Sequence, residues 1–123
     1  MKKALFILGH GSQAHEANEI FTNIVDMVAK ITEFEEVGMG SLQISKPSFQ
    51  EGIEELIKKD VKQVVIVPMF IYKGNHVKYD IPEEMTILRE KYPHVNFIMA
   101  KPIGADQRLA AIIEERAKEA FGA

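Results

Sequence analysis

Two apolar runs constrain what this chain can fold into more than anything else in it: Leu5-Phe-Ile-Leu8 and Val64-Val-Ile-Val67. Neither alternates with polar residues, and an uninterrupted run is how a strand reads when helices cover both faces of its sheet. Both are therefore expected to be central parallel strands lying side by side. The second is β-branched throughout and is closed by Pro68, which cannot continue a central ladder.

Around these runs the apolar period changes to three and four. From Glu16 onward Ala17, Phe21, Ile24, Val28 and Ile31 share one helical face. Glu35 to Ser41 reads as a weaker strand, because Val37 and Met39 alternate with Gly38 and Gly40. Ser48-Phe-Gln-Glu51 is a capping box, and Ile53, Leu56 and Ile57 continue it as a helix. Met69 to Tyr79 reads as a loop containing Gly74-Asn75-His76. Asp80-Ile-Pro-Glu83 resembles another capping box with proline in the first turn, predicting a helix to about Lys91. Tyr92-Pro-His94 is a turn, Val95 to Ala100 a fourth strand and Pro102 to Ala105 a loop. Asp106 then caps a last helix with Leu109, Ile112, Ile113, Ala117 and Phe121 expected inward. The β-α-β-α-β-α-β-α order predicts an α/β fold: one domain over 1–123, an open, mostly parallel four-stranded sheet with helices on both faces and flavodoxin-like layering.

Composition narrows the function classes. With 46% hydrophobic and 27% charged residues the chain reads as globular rather than disordered. A net charge of -3 gives no basic patch for nucleic acid. There is no cysteine, which removes disulfides and thiolate metal sites, so any metal must be held by histidine and oxygen. Lys2-Lys3 precede an apolar run that ends at Leu8, too short for a signal-peptide core, and no stretch approaches the ~20 apolar residues of a membrane span. The expectation is a soluble, cytoplasmic protein without nucleic-acid or membrane partners.

In open α/β sheets ligands bind outside the carboxyl ends of the strands. That rule sorts the histidines. His10, in Gly9-His-Gly-Ser12, follows the first strand, and His76 lies in the loop after the third, so both belong to the ligand edge and can converge. His94 precedes the fourth strand and reads as a solvated turn residue, and His15 as a surface residue at the start of the first helix. Glycines beside His10 let a ligand approach the backbone closely. Neutral imidazoles bind Co, Ni, Fe and Zn, so the pair fits a metal site, while a core or capping role remains the plain alternative for His10. Gly9-x-Gly11-x-x-Ala14 also matches a dinucleotide fingerprint, but the expected acidic residue at the end of the second strand is missing: that end reads Ser41-Leu42-Gln43. Capture of a carboxylate or phosphate at the helix N-terminus stays open.

These segments resemble a known family. Leu8-Gly-His-Gly-Ser12, with Val67-Pro-Met-Phe-Ile-Tyr-Lys-Gly-Asn-His-Val-Lys-Tyr-Asp-Ile-Pro82, is similar to the short-form sirohydrochlorin cobaltochelatases of the class II chelatases, over nearly the whole chain in order and spacing. The resemblance implies a lyase that inserts Co2+, or in relatives Fe2+ or Ni2+, into a tetrapyrrole, working as a homodimer with no cofactor beyond the substrate metal. It implies that His10 and His76 are the catalytic, metal-binding histidines. Sirohydrochlorin is rich in carboxylates, so Lys46, Lys73, Lys78 and Lys101 are candidate cations, and Met69, Phe70 and Tyr72 a candidate apolar floor for the ring. Ser12, Gln43, Gly74 and Asn75 complete the expected substrate face. One residue departs from the pattern: the family usually shows an acid where this chain has Gln43. An amide is a poor metal ligand and no base, which leaves a non-catalytic metal or tetrapyrrole carrier as the alternative.

Overall fold

The first apolar run forms β1 (Lys3–Gly9), flanked by β2 (Glu36–Ser41) on one side and β3 (Gln63–Pro68) on the other, with β4 (Asn96–Met99) outside β3. All pairings are parallel, and Phe6 lies level with both Gly38 and Ile66. Connecting them are α1 (His15–Ile31), α2 (Phe49–Ile57) and α3 (Asn75–Lys91), and α4 (Gln107–Gly122) follows β4. This computed structural model describes residues 2–72 and 74–122, the side chains of Asn75 and His76 excepted. The strand order β2-β1-β3-β4 matters for function. The chain leaves β1 toward β2 and leaves β3 toward β4, so the two connections diverge and open a crevice between the carboxyl ends of β1 and β3.

The principal core lies on one sheet face. Ala4, Phe6 and Leu8 of β1 and Val64 and Ile66 of β3 are fully buried beneath Phe49, Ile53 and Leu56 of α2 and Ile81, Met85 and Leu88 of α3. Phe6 stacks on Phe49 with ring centroids 5.4 Å apart. Burying each such side chain contributes roughly 1.5–3 kcal/mol. The glycines that weaken β2 as a sequence signal are explained here. A Cβ at Gly38 would sit 2.8 Å from Leu56 Cγ, and one at Gly40 2.6 Å from the Ser48 carbonyl oxygen. β2 therefore gives up side chains so that α2 can lie directly on it.

The Ser48 capping box forms as expected. Glu51 N–H donates to Ser48 Oγ at 3.1 Å, and Ser48 N–H donates to Glu51 Oε1 at 2.8 Å. That backbone donor, joined by Lys46 Nζ at 3.1 Å, holds the Glu51 carboxyl below its ordinary value. A carboxyl depressed in the folded state adds stability above its unfolded pKa of about 4.3, and the gain is lost as pH falls through the lower folded value. Glu51→Gln is expected to flatten this acid dependence: between about pH 6 and about pH 3 its urea midpoint should fall less than that of the unchanged chain.

Two expectations need correction. Asp80-Ile-Pro-Glu83 does not begin a helix, because α3 starts at Asn75, capped by Gly74 in extended conformation. Pro82 lies inside α3, where its missing N–H leaves the Lys78 carbonyl without its helical donor. The loop after β3 is shorter by five residues, and His76 becomes the second residue of a helix. The second correction is larger. Leu109, Ile112, Ile113, Ala117 and Phe121 do not face inward: no α4 residue is buried, and Phe121 is 96% exposed. No strand or helix among the described residues packs along α4. α1, which lies against β2, buries only Val25; Ala17 is exposed and Ile31 is 82% exposed. Periodicity identifies residues that share a stripe, and says nothing of what the stripe meets.

Candidate active site

The carboxyl end of β1 is tied into its neighbours beyond the strand itself. Met69 N–H donates to the Leu8 carbonyl at 2.8 Å, Leu42 N–H to Gly9 at 3.0 Å and Gln43 N–H to His10 at 3.3 Å. His10 is thus carried at the head of the crevice between β1 and β3. Gly11 completes the turn with φ +103, and a Cβ there would overlap the Gln43 carbonyl oxygen. Both its conformation and its closeness to Gln43 demand glycine.

A knot of polar groups then fixes the turn to the loop after β2. Ser12 N–H donates to Ser45 Oγ at 2.6 Å, and Asn18 Nδ2 donates to the Ser12 carbonyl at 3.1 Å. Ser45 Oγ lies 2.7 Å from the Ser12 carbonyl and 2.8 Å from Asn18 Oδ1, two acceptors for its single proton. Between Gln43 and Ser45 the exposed Ile44 takes φ 67, a conformation that β-branched residues rarely adopt. The loop bearing Gln43 is held in place at a cost in backbone strain.

The imidazole of His10 is exposed, and its ring meets Phe70 edge-on with centroids 5.8 Å apart. The Gln43 amide nitrogen is 3.4 Å from His10 Nδ1. An amide can present either its N–H or its carbonyl: with the carbonyl turned to the ring, Nδ1–H donates to it and Nε2 keeps a lone pair for a metal. A cleft of about 200 Å³ opens beside the ring, lined by Gly9, His10, Gly11, Ser12, Asn18, Phe21 and Met69 among others. It is smaller than the ~300 Å³ lower bound of pockets that enclose drug-sized ligands, so a large flat ligand would lie across its rim rather than enter it.

Of the residues singled out in the sequence, His10, Ser12, Gln43, Met69 and Phe70 come together here. Tyr72 follows on the same edge, 81% exposed, and Gly74 caps α3 with open space around it. Lys46 is on the Gln43 loop and is engaged by Glu51. Lys101 is exposed just after β4. Lys78 lines a different cleft, of about 390 Å³, with Ile81, Met85 and Arg89 of α3 and Met99 of β4. Lys73 and the side chains of Asn75 and His76 lie outside the described residues. The backbone of His76 stands at the N-terminus of α3, on the edge that carries His10. His15 pairs with Glu19 at 3.1 Å on the surface, and His94 is exposed in the turn before β4. Among the described residues no three His, Asp or Glu side chains gather as a metal cage. Asn18, Ser45 and Phe21 belong to the site and are not evident from the sequence. They are ordinary residue types, and Ser45 meets Ser12 across 33 positions.

The chain is similar to chelatases throughout its length. It is 30% identical to the sirohydrochlorin cobaltochelatase of Methanopyrus kandleri, with 97% of each chain covered. To the sirohydrochlorin ferrochelatase of Bacillus subtilis it is 27% identical over 97% of its own length, spanning 46% of that longer protein. The crystal structure of the sirohydrochlorin chelatase SirB from Bacillus subtilis subspecies spizizenii in complex with cobalt superposes with a TM-score of 0.91 at 26% identity, covering 97% of this chain and 51% of that one. The CbiX family model matches residues 4–120, and the chain belongs to the CbiX family of sirohydrochlorin chelatases.

Proposed function

We propose that the chain inserts a divalent metal, Co2+ foremost, into sirohydrochlorin, as a single functional unit spanning 1–123. The observation that carries this reading is His10 itself: an exposed imidazole on a glycine turn at the switch point of a parallel sheet, in a chain of the CbiX family. Insertion requires that the cation lose water, meet the macrocycle and displace two pyrrole protons. His10 and His76 would serve as metal ligands on the two sides of the crevice, replacing water on the incoming ion. An imidazole, whose unperturbed pKa is near ~6.5, would then take a pyrrole proton at neutral pH. Met69 and Phe70 would support the ring, with Tyr72 beside them, while Ser12 and Gln43 meet its polar rim. Lys46, Lys73, Lys78 and Lys101 are the cations available to its carboxylates, together with Gly74 and Asn75 at the start of α3. No cofactor beyond the substrate metal enters this scheme, Fe2+ and Ni2+ being the alternative ions, and the reaction belongs in the cytoplasm.

One wall is all that a single sheet edge can offer a flat macrocycle. A homodimer with twofold symmetry would supply the second. The test of the whole reading is absorbance: protein, Co2+ and sirohydrochlorin are mixed and the spectral change is followed against a protein-free control. Turnover well above the control is expected. A rate equal to the control with metal still bound would instead establish a carrier, the reading that Gln43 favours. Because a glutamate at this position would face His10 Nδ1 as an obligate acceptor, Gln43→Glu is expected to raise the insertion rate by about tenfold or more, a part of the ~100-fold or greater gain that a positioned base contributes. An unchanged rate would remove residue 43 from the chemistry.

A further inference from the structure

Two residues other than glycine take a left-handed backbone among the described residues, and they are not alike. Asp60, at φ 60, lies in the turn that ends α2, where a short polar side chain adopts this conformation readily. Ile44, at φ 67, follows no helix and is β-branched. Ser45 N–H donates back to the Gln43 carbonyl at 2.7 Å, so Ile44 is the centre of a three-residue γ-turn in its rare, strained form. Glycine or asparagine would make the same turn with less strain.

The core does not explain the isoleucine. Its side chain is 60% exposed and stands outside the main hydrophobic cluster, so burial within the chain does not offset the strain. What the turn secures is placement. Gln43 N–H is bonded to the His10 carbonyl on one side of Ile44, and Ser45 Oγ to Ser12 and Asn18 on the other. Between these clamps Ile44 is fixed at the carboxyl edge of the sheet, next in the chain to the amide that meets His10 Nδ1 at 3.4 Å. The loop after β3, on the other side of β1, also exposes apolar groups: Ile71 is 59% exposed and Tyr72 81%. Phe70, only 7% exposed, can support a ligand from beneath but offers it little surface.

We propose that Ile44 is a substrate-binding residue, a fixed apolar contact for the face of the tetrapyrrole, with Ile71 and Tyr72 across the crevice from it. The macrocycle is flat and apolar on its faces and carboxylated at its rim, so it needs apolar groups against the ring as well as cations around it. A β-branched side chain on a clamped turn has little rotamer freedom to lose when the ring arrives. The strain carried by the free chain thus serves a contact made only with substrate. This inference rests on the proposed function, since it names a further part of the same site.

The test separates the contact from the loop that carries it. Metal-free sirohydrochlorin is titrated into the unaltered chain, Ile44→Asn and Ile44→Gly, with binding followed by the fluorescence of the ring, and the urea midpoint of each chain is measured. Both variants are expected to bind the ring roughly tenfold more weakly, the effect of losing the apolar contact of one side chain. Their urea midpoints are expected to rise, because the strain is relieved. Affinity and stability moving in opposite directions is a result that a structural role for Ile44 would not give. Ile44→Leu, which keeps an apolar side chain, should bind nearly as tightly as the unaltered chain. Ile31→Asn makes the same exchange at an 82% exposed position at the far end of α1 and should leave ring affinity unchanged. Undiminished affinity in both Ile44→Asn and Ile44→Gly, or midpoints that fall together with affinity, would overturn the inference and leave the chelatase reading standing. No metal enters the measurement, so the loss of affinity is expected of an enzyme and of a carrier alike. An unaltered chain that takes up no ring would refute the proposed function and this inference together.

Discussion

His10→Ala is expected to bring cobalt insertion down to the protein-free rate, a loss of at least about 100-fold, while leaving the urea midpoint essentially unmoved. The second half of this expectation follows from position. The ring is exposed, it meets Phe70 edge-on, and its one side-chain hydrogen-bond neighbour among the described residues is the Gln43 amide at 3.4 Å, so its removal opens no cavity in the core. The first half follows from chemistry, since alanine can neither replace water on the metal nor accept a proton. His76→Ala is expected to behave in the same way. Groups that act as one unit lose their joint effect when either is removed, so the double variant should be no slower than either single one. Near-normal turnover by either single variant would dissolve the paired site. A double variant much slower than both would mean that the two histidines act in separate steps.

Gly11→Ala is expected to lower stability by about 3 kcal/mol and to abolish insertion in whatever fraction remains folded. Two costs combine at this residue: φ +103 is strained for any side chain, and the new Cβ would overlap the Gln43 carbonyl oxygen, which belongs to backbone and cannot turn aside. Relief would require the loop 41–48 to move off the His10 turn, breaking the bonds among Ser12, Ser45 and Asn18. Gly9→Ala is the natural control. There the added Cβ would approach only the Phe21 ring, at 2.9 Å, and an aromatic at the edge of a cleft can tilt away. Urea titration of the two variants should separate them clearly. Equal midpoints would mean that the His10 turn is not anchored through Gln43.

How much of this could be read from the residues alone depended on whether the signal was local. The strands announced themselves through Leu5–Leu8 and Val64–Val67, because burial on both faces leaves an unbroken apolar run. Ser48 and Glu51 specify their helix start within four residues and form the expected box. His10 stood out because glycine on both sides of a histidine after a strand has few uses. Asp80-Ile-Pro-Glu83 misled for the opposite reason: the local pattern was sound, but α3 had already begun at Asn75, where glycine caps it by backbone conformation rather than by a side chain. Gly38 and Gly40 obscured β2 because the reason for them, α2 lying on the strand, comes from residues such as Ser48, Phe49 and Leu56, eight to eighteen positions away. Ser45 and Asn18 left no trace for the same cause. The stripe on α4 was legible, but its destination depends on the position of every other element.

Phe70 occupies an unusual double position. It is 7% exposed, a member of the main hydrophobic cluster, and it is also an aromatic neighbour of His10. The ring against which the His10 imidazole rests is thus seated on the same packing that holds α2 and α3 to the sheet. Phe70→Leu and Phe70→Tyr are therefore expected to tilt the imidazole without altering a single donor atom, and to shift the preference among ions with it. The ratio of cobalt to nickel insertion across a set of Phe70 variants would measure that dependence directly. Selectivity would then evolve through interior repacking while the ligands themselves stay unchanged.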